Sequence, residues 1–261
     1  MRKWLNWIAL VLVFSVACGF LSNWQFNRRA TKLAAIHLIE KNYSSNPVEM
    51  AKVLVSGQFN LTQDTWRNVV VSGHYLPEKT LLVRNRPNDG NAGFEELVPF
   101  ETDTLGVIFV SRGWIPSGDK QDHPDVVNLP TSSETQIRGH VMASELKVDR
   151  TAPPGEIASI YIPLAEKLAR VHSPFQDAYL RLFSETPSVG KALVEMPAPS
   201  TDEGNNLSYA WQWIMFAVMA AWALAWRIRR DRLLELGIEP KKRKTLADKD
   251  AEFEDSTTTA K

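Results

Sequence analysis

Apolar residues are spread unevenly along this chain. Two runs, Trp4 to Trp24 and Leu207 to Trp226, enclose a mostly polar middle in which apolar positions recur at period two. At 1.5 Å rise per residue, roughly 20 apolar residues cross a ~30 Å hydrocarbon core. The first run carries only Asn6 and Ser15 as strongly polar side chains before Leu21, and the second is uncharged with Gln212 as its one costly group. Both therefore predict transmembrane helices, one within residues 1–27 (span 4–24) and one over 207–227. Beyond Trp24 the stretch NRRATKLAAIHLIEKNY keeps good helix formers, so the first helix should run on until Ser44 and Ser45 break it.

In the middle, residues 28–206, Asn46-Pro47 reads as a cap and first turn of a short helix through Val53. Strand signals follow over Trp66 to Leu76, Thr80 to Arg86, Phe94 to Phe100, Val107 to Ile115 and Thr135 to Met142, separated by Pro, Gly, Asn and Asp clusters. A helix over Pro163 to Val171 and a strand over Ala178 to Phe183 complete the domain. The predicted class is α+β: two transmembrane helices flanking a mostly antiparallel β-rich domain, open or closed into a barrel, with short helices. Ser117 to Pro130 and Val148 to Glu156 read as loops, and Pro187 to Asn206 as a linker into the second span. Residues 228–261 form a basic segment and a Thr- and charge-rich tail, whose last part, 245–261, is expected to be disordered.

The zero net charge hides an asymmetry that sets orientation. Arg2 and Lys3 precede the first span, and Arg227, Arg229, Arg230 and Arg232 follow the second, which places both termini in the cytoplasm. Arg28, Arg29 and Lys32 argue the other way, but a long loop is translocated largely regardless of its charge, so the central domain is expected to be extracytoplasmic. A cleaved lipoprotein-type signal ending at Ala17-Cys18 is the rival reading. Ser15 fits it poorly, and the apolar run continues through Leu21. The chain has one cysteine, Cys18, so no disulfide supports the external domain, and a buried membrane thiol is its expected role. A span beginning at Trp4 leaves no room for an Arg- and Ser-rich transit peptide, which favours a bacterial cell membrane. Seven of the nine tryptophans flank or lie in the spans, where their rings suit the headgroup level of a lipid bilayer.

The sequence holds no phosphate-binding glycine loop, serine nucleophile elbow or paired-cysteine metal motif, and its five histidines are scattered. No enzyme activity is expected, and nucleic acid is not among the expected partners. Glu95-Glu96 are adjacent on a predicted strand and so point to opposite faces, which reads as a solvated strand edge rather than a catalytic dyad. The strand GVIFVSRGWIP puts Ile108, Val110, Arg112 and Trp114 on one face by alternation. Arg112 there needs a partner: a structural carboxylate, backbone carbonyls, an anionic ligand or another protein. Arg84 and Arg86 share a face of their predicted strand with Leu82. At the first membrane boundary, Trp24, Arg28 and Lys32 recur every four residues along one helix face, suited to lipid anchoring or to docking against the partner helix or a cofactor.

These residues carry a resemblance that spans nearly the whole chain. Trp24-Gln25 with Arg28 and Lys32, Gly73 with Tyr75, Leu82 with Asn85-Arg86, Gly93 with Pro99, Val110 to Pro116 and Asn206 to Trp213 resemble, in order, the motif blocks of the surfeit locus protein family (Surf-one, called Shy-one in yeast). The resemblance implies a non-enzymatic membrane factor for assembly of an aa3-type cytochrome c oxidase, which helps deliver haem a to the catalytic subunit. The implied partners are that subunit and the haem a synthesis machinery. Trp24, Arg28, Arg86, Arg112, Trp114, Asn206, Tyr209 and Trp213 would supply haem or partner contacts. The family commonly places a histidine, proposed to bind haem a, where this chain has Asn206, and an amide is a poor ligand for haem iron. His37 would replace it only if it lay near the outer end of the second span. The alternatives are a haem-independent scaffold for an oxidase intermediate and an extracytoplasmic sensor.

Overall fold

The computed structural model describes residues 2–54 and 59–237. The expected disordered tail, 245–261, and basic residues 241–244 lie outside the described residues. Two compact units result, one formed by Lys32–Asp202 and one by the helical segments on either side of it in sequence.

The helical unit takes its form from the two apolar runs. Helix α1 spans Arg2–Asn42 without interruption and ends just before Ser44-Ser45, as the sequence predicts. A second long helix, Asn206–Glu235, closes the described chain. Both are long and apolar enough to cross a membrane by length and composition. Their contacts are antiparallel: the Ser22 hydroxyl donates to the Ala210 carbonyl at 3.0 Å, and the Arg227 guanidinium lies 5.7 Å from the centre of the Trp7 ring. Cys18 and Ala210 are fully buried, and the thiol is free.

The other unit is built on β1 (Val48–Glu49), β2 (Asn68–Tyr75), β3 (Leu81–Val83), β4 (Gly93–Thr102), β5 (Gly106–Pro116), β6 (Thr135–Ala143), β7 (Glu156–Ile157) and β8 (Ala178–Thr186). The sheet order is β1-β2-β6-β8-β5-β4-β3-β7, and β2 also pairs with β4. That extra pairing closes β2, β6, β8, β5 and β4 into a five-stranded barrel. The ladders are mostly antiparallel, with parallel pairings at β1–β2, β3–β7 and β5–β8. Gly73 is the corner, pairing with Thr135 of β6 and Thr102 of β4. Its φ is +154°, and an added Cβ would lie 2.0 Å from the Glu101 carbonyl oxygen, so only glycine fits where the strands cross.

All five barrel strands send one face into a single cluster that includes Val71, Tyr75, Phe100, Val110, Ile137 and Leu180. The opposite face of β4 and β5, with Leu97 and Phe109, packs on helix α4 (Ile162–Ala169) through Ile162, Ala165 and Ala169. The short helices α2 (Met50–Val53) and α3 (Leu61–Asp64) precede the barrel, and the closing helix Asn206–Glu235 is α5.

Three local expectations change. The helix expected to start at Asn46-Pro47 is replaced by β1, because Val48 and Glu49 pair in parallel with Val69 and Val70; only Met50–Val53 is helical. The loop expected over Val148 to Glu156 ends in β7, whose Glu156 pairs with Leu82. The strand expected to reach Arg86 stops at Val83, since Asn85 adopts φ +56° and turns the chain out of the sheet. Arg84 and Arg86 therefore do not share a strand face with Leu82.

Candidate functional site

The residues singled out from sequence fall into two groups, one in each unit. The barrel group is organised by the β4–β5 hairpin. Its register pairs Glu96 with Gly113 but Leu97 with Ser111, so Arg112 is the extra residue of a β-bulge. Alternation is broken there. Trp114 pairs with Glu95 and lies on the face opposite Arg112, not beside it as strict alternation predicts.

Glu95 and Glu96 do point to opposite faces, as adjacent strand residues must, but neither is at a solvated edge. They are 6% and 0% exposed, because β4 is flanked by β5 on one side and by β2 and β3 on the other. Each buried carboxylate is held by its own arginine. Glu96 accepts from Arg112 Nη1 at 2.5 Å, with the Arg112 side chain only 2% exposed. Glu95 accepts from the Ser111 hydroxyl at 2.8 Å and lies 3.4 Å from Arg86 Nε. Arg86 also donates to both oxygens of Glu145 at 2.6 and 2.7 Å. Arg84 is bonded to Glu156 and Asp122, and His123 meets the other oxygen of Glu156 at 2.9 Å.

Among the alternatives open for Arg112, a buried carboxylate is the partner observed. A second one, Glu185, lies 3.7 Å from its Nη2, and the guanidinium stands 5.2 Å from the centre of the Tyr75 ring. Burial pushes the Glu96 carboxyl above its ordinary value against the pull of Arg112, and the Glu185 charge adds to the rise. Burial likewise drives the Tyr75 phenol far up, with Glu185 in the same direction and Arg112 opposed. Trp114 is structural by its contacts: its indole N–H donates to the Arg86 carbonyl at 2.6 Å, tying the Arg-Gly-Trp block to the Asn-Arg block.

The second group lines the ends of the two long helices. Trp24 is exposed, and the Arg28 guanidinium stacks over it at 5.4 Å. Arg29 pairs with Glu203 at 2.7 Å, and Phe26 meets Trp211 edge-on at 6.3 Å between centroids. Tyr209 is also exposed, Trp213 packs edge-on against Phe216, and Asn206 is the first residue of α5. His37 is exposed on α1, 3.4 Å from Glu40. No imidazole belongs to this helix-end group among the described residues.

Sequence reasoning missed Glu96, Glu145, Glu156 and Glu185 as the arginines' partners. One signal was available: a lone glycine inside a strand pattern, here Gly113 between Arg112 and Trp114, marks a bulge and a close backbone approach.

Comparison with known proteins points to one family. A family model described as the SURF1 family matches residues 12–218. An uncharacterized SURF1-like protein of Mycobacterium bovis is 28% identical over 246 residues, covering 90% of this chain and 89% of that protein. A SURF1-like protein of Rickettsia bellii is 24% identical over 243 residues, 89% of this chain and 94% of its own. The cytochrome oxidase assembly protein SHY1 of Saccharomyces cerevisiae is 26% identical over 124 residues, which are 47% of this chain and 31% of the yeast protein.

Proposed function

From the premise that this chain belongs to the SURF1 family, we propose that it is a membrane-held assembly factor for an aa3-type cytochrome c oxidase. The observation that carries this reading is the extent of the match. It takes in most of α1, the whole barrel and the first part of α5, and the yeast relative is named for oxidase assembly. We assign the chain no catalytic step. Its helices would lie in a bacterial cell membrane with both termini cytoplasmic, following the Arg and Lys residues that flank the spans, and residues 28–206 would fold outside the cytoplasm. The partner is the oxidase catalytic subunit, which the apolar helix faces can meet within the bilayer.

Haem a is the group implied by the family resemblance, and the residues present do not fit its axial ligation. Asn206 stands where an imidazole is expected, and His37 is exposed beside Glu40. Arg86 and Arg112, expected as haem or partner contacts, each lie 3.7 Å or less from two carboxylates. These observations favour a scaffold that holds an oxidase intermediate. The exposed Trp24–Arg28 stack supports the second reading, haem a handling alongside the haem a synthesis machinery, because an aromatic face beside a guanidinium suits a macrocycle bearing carboxylates.

Deletion of the gene, read by oxidase activity and by the haem a absorption of membranes, tests the assembly role. Reduced oxidase is expected, and wild-type activity would overturn it. Purification from cells that make haem a divides the two readings: the scaffold predicts a protein without a haem absorption band, and stoichiometric haem a would replace it with the second.

A further inference from the structure

The linker expected between the barrel and the second span is a strap laid across an open seam of the barrel. β5 and β8 pair only at Val110–Leu180 and Ser111–Arg181, although β5 continues to Pro116 and β8 to Thr186. Residues 187–197 cover the gap beyond. The Thr131 N–H donates to the Val189 carbonyl at 2.7 Å, Trp114 and Val194 exchange backbone bonds at 2.9 and 3.3 Å, and Arg181 donates to the Pro197 carbonyl at 2.9 Å. Glycines make room for the contact. A Cβ on Gly113 would stand 2.8 Å from Leu193 Cβ, and one on Gly190 would stand 2.9 Å from Arg112 Nη2.

The strap is anchored by Val189, buried in the barrel's core cluster, but it does not fill the space around the Arg112 side chain. A cavity of about 260 Å³ lies beneath it, lined by Ser111, Arg112, Glu185, Ser188, Leu193 and Met196 among others. Glu185 is divided between two claims. Its Oε1 accepts from the Ser188 hydroxyl and the Val189 N–H of the strap, both at 3.2 Å, and lies 3.7 Å from Arg112 Nη2. Its Oε2 and Arg112 Nε are both buried without a hydrogen-bond partner. Arg112 Nη1 is taken by Glu96. The Nε–Nη2 edge, the fork that matches a carboxylate bidentately, is the one left to Glu185.

We propose that Glu185 is a toggle that makes the strap a releasable cover. With the strap seated, Glu185 holds Ser188 and Val189. With the strap lifted, it swings onto the Nε–Nη2 edge of Arg112 and satisfies both orphaned atoms, so the open form has a bond that the seated form lacks. The Arg-Gly-Trp block is then the clasp of this strap: Arg112 through Glu185, Gly113 by leaving space, Trp114 by its backbone pair with Val194. The strap runs on toward α5, so its release frees chain length ahead of that helix. This inference does not depend on the oxidase reading.

Hydrogen exchange of the full chain in detergent tests it. The reporters are the Trp114 and Thr131 amides, which donate to strap carbonyls, read against the Phe109 and Val110 amides of the same barrel. The reporters should exchange together, at least about tenfold faster than the barrel amides, through a local opening. Ser188→Ala removes a strap bond to Glu185 and should speed them further. Glu185→Gln keeps an acceptor for the strap but cannot form the ionic pair, so it should slow them several-fold with the barrel amides unchanged. Reporter exchange at the barrel rate, or a Glu185→Gln variant that leaves the reporters as fast as wild type or faster, overturns the toggle. Should Glu185→Gln fail to fold, the wild-type and Ser188→Ala rates still decide whether the strap opens separately.

Discussion

Replacing Arg112 with methionine takes the bonded guanidinium from Glu96 and the more distant ion pair from Glu185, and the larger cost falls on Glu96. The substitution keeps an unbranched apolar side chain in place but leaves Glu96, which is 0% exposed, without the guanidinium bonded to it at 2.5 Å. Breaking one partner of such a pair typically costs about 3–5 kcal/mol. Protonation limits the loss, and the sign of the pH dependence follows. Burial already holds the folded-state Glu96 value above the ordinary 4.5, and removing Arg112 takes away the opposing pull. A carboxyl raised in the folded state contributes fully below its unfolded value and loses that contribution as pH rises toward its folded value. In Arg112→Met, stability should therefore fall with rising pH by up to about 1.4 kcal/mol per unit across that window. The deficit should be clearly larger at pH 7.5 than at pH 5.5. Adding Glu96→Gln to Arg112→Met removes the unpaired charge and should restore more than half of the loss. Global opening free energies from exchange of the Phe109 and Val110 amides in the full chain measure each term. A deficit below about 1 kcal/mol at neutral pH, or a double variant no more stable than the single one, would refute the reasoning.

Three further outcomes follow from the barrel. His140 stacks on Tyr43 and is buried; burial lowers its value below 6.5, Arg181 and Arg138 add to the fall, and the Tyr43 carbonyl opposes it. The unfolded chain then takes up the proton first, so stability should drop as pH falls through and below 6.5, and His140→Phe should flatten that part of a thermal midpoint–pH curve; equal slopes would count against it. Gly73→Ala would press a Cβ into the Glu101 carbonyl and should cost at least about 3 kcal/mol in denaturant unfolding, whereas a loss within error would mean that the corner can relax. Trp114→Phe leaves the Arg86 carbonyl without its indole donor and should cost about 1–3 kcal/mol, checked by the same unfolding series and contradicted by an unchanged midpoint.

The long strands were legible because alternation and turn residues agree in them. β5 was expected over Val107 to Ile115 and runs Gly106–Pro116; β6 was expected over Thr135 to Met142 and runs Thr135–Ala143. The two-residue strands β1 and β7 carry too few positions for any period, and their parallel partners are remote in sequence. The bulge at Arg112 was the costlier omission. One extra residue reverses every face assignment after it, so Trp114 was expected beside Arg112 and lies opposite. Glu95-Glu96 misled for a related reason. Charge in a strand usually marks solvent, and only the positions of Arg86 and Arg112 in space turn these residues into two buried pairs. The need of Arg112 for a partner could be read from sequence. The identity of that partner, sixteen residues back across a hairpin, needed the register.

Barrel closure at Gly73 also bears on how the protein can fail. A strand with one side unpaired offers another chain a row of free N–H and C=O groups on which to polymerise. Here the five long strands form a ring, and the ends of the sheet are β1 and β7, two residues each. Among the described residues, the long-strand stretch left open is the β5–β8 seam, and residues 187–197 lie across it, so the barrel presents little template for cross-chain growth while they are seated, and it achieves this without a disulfide. When the protein is overproduced, self-association should begin at the exposed apolar faces of α1 and α5, so that detergent, rather than a redox buffer or a folding catalyst, decides how much soluble protein is recovered.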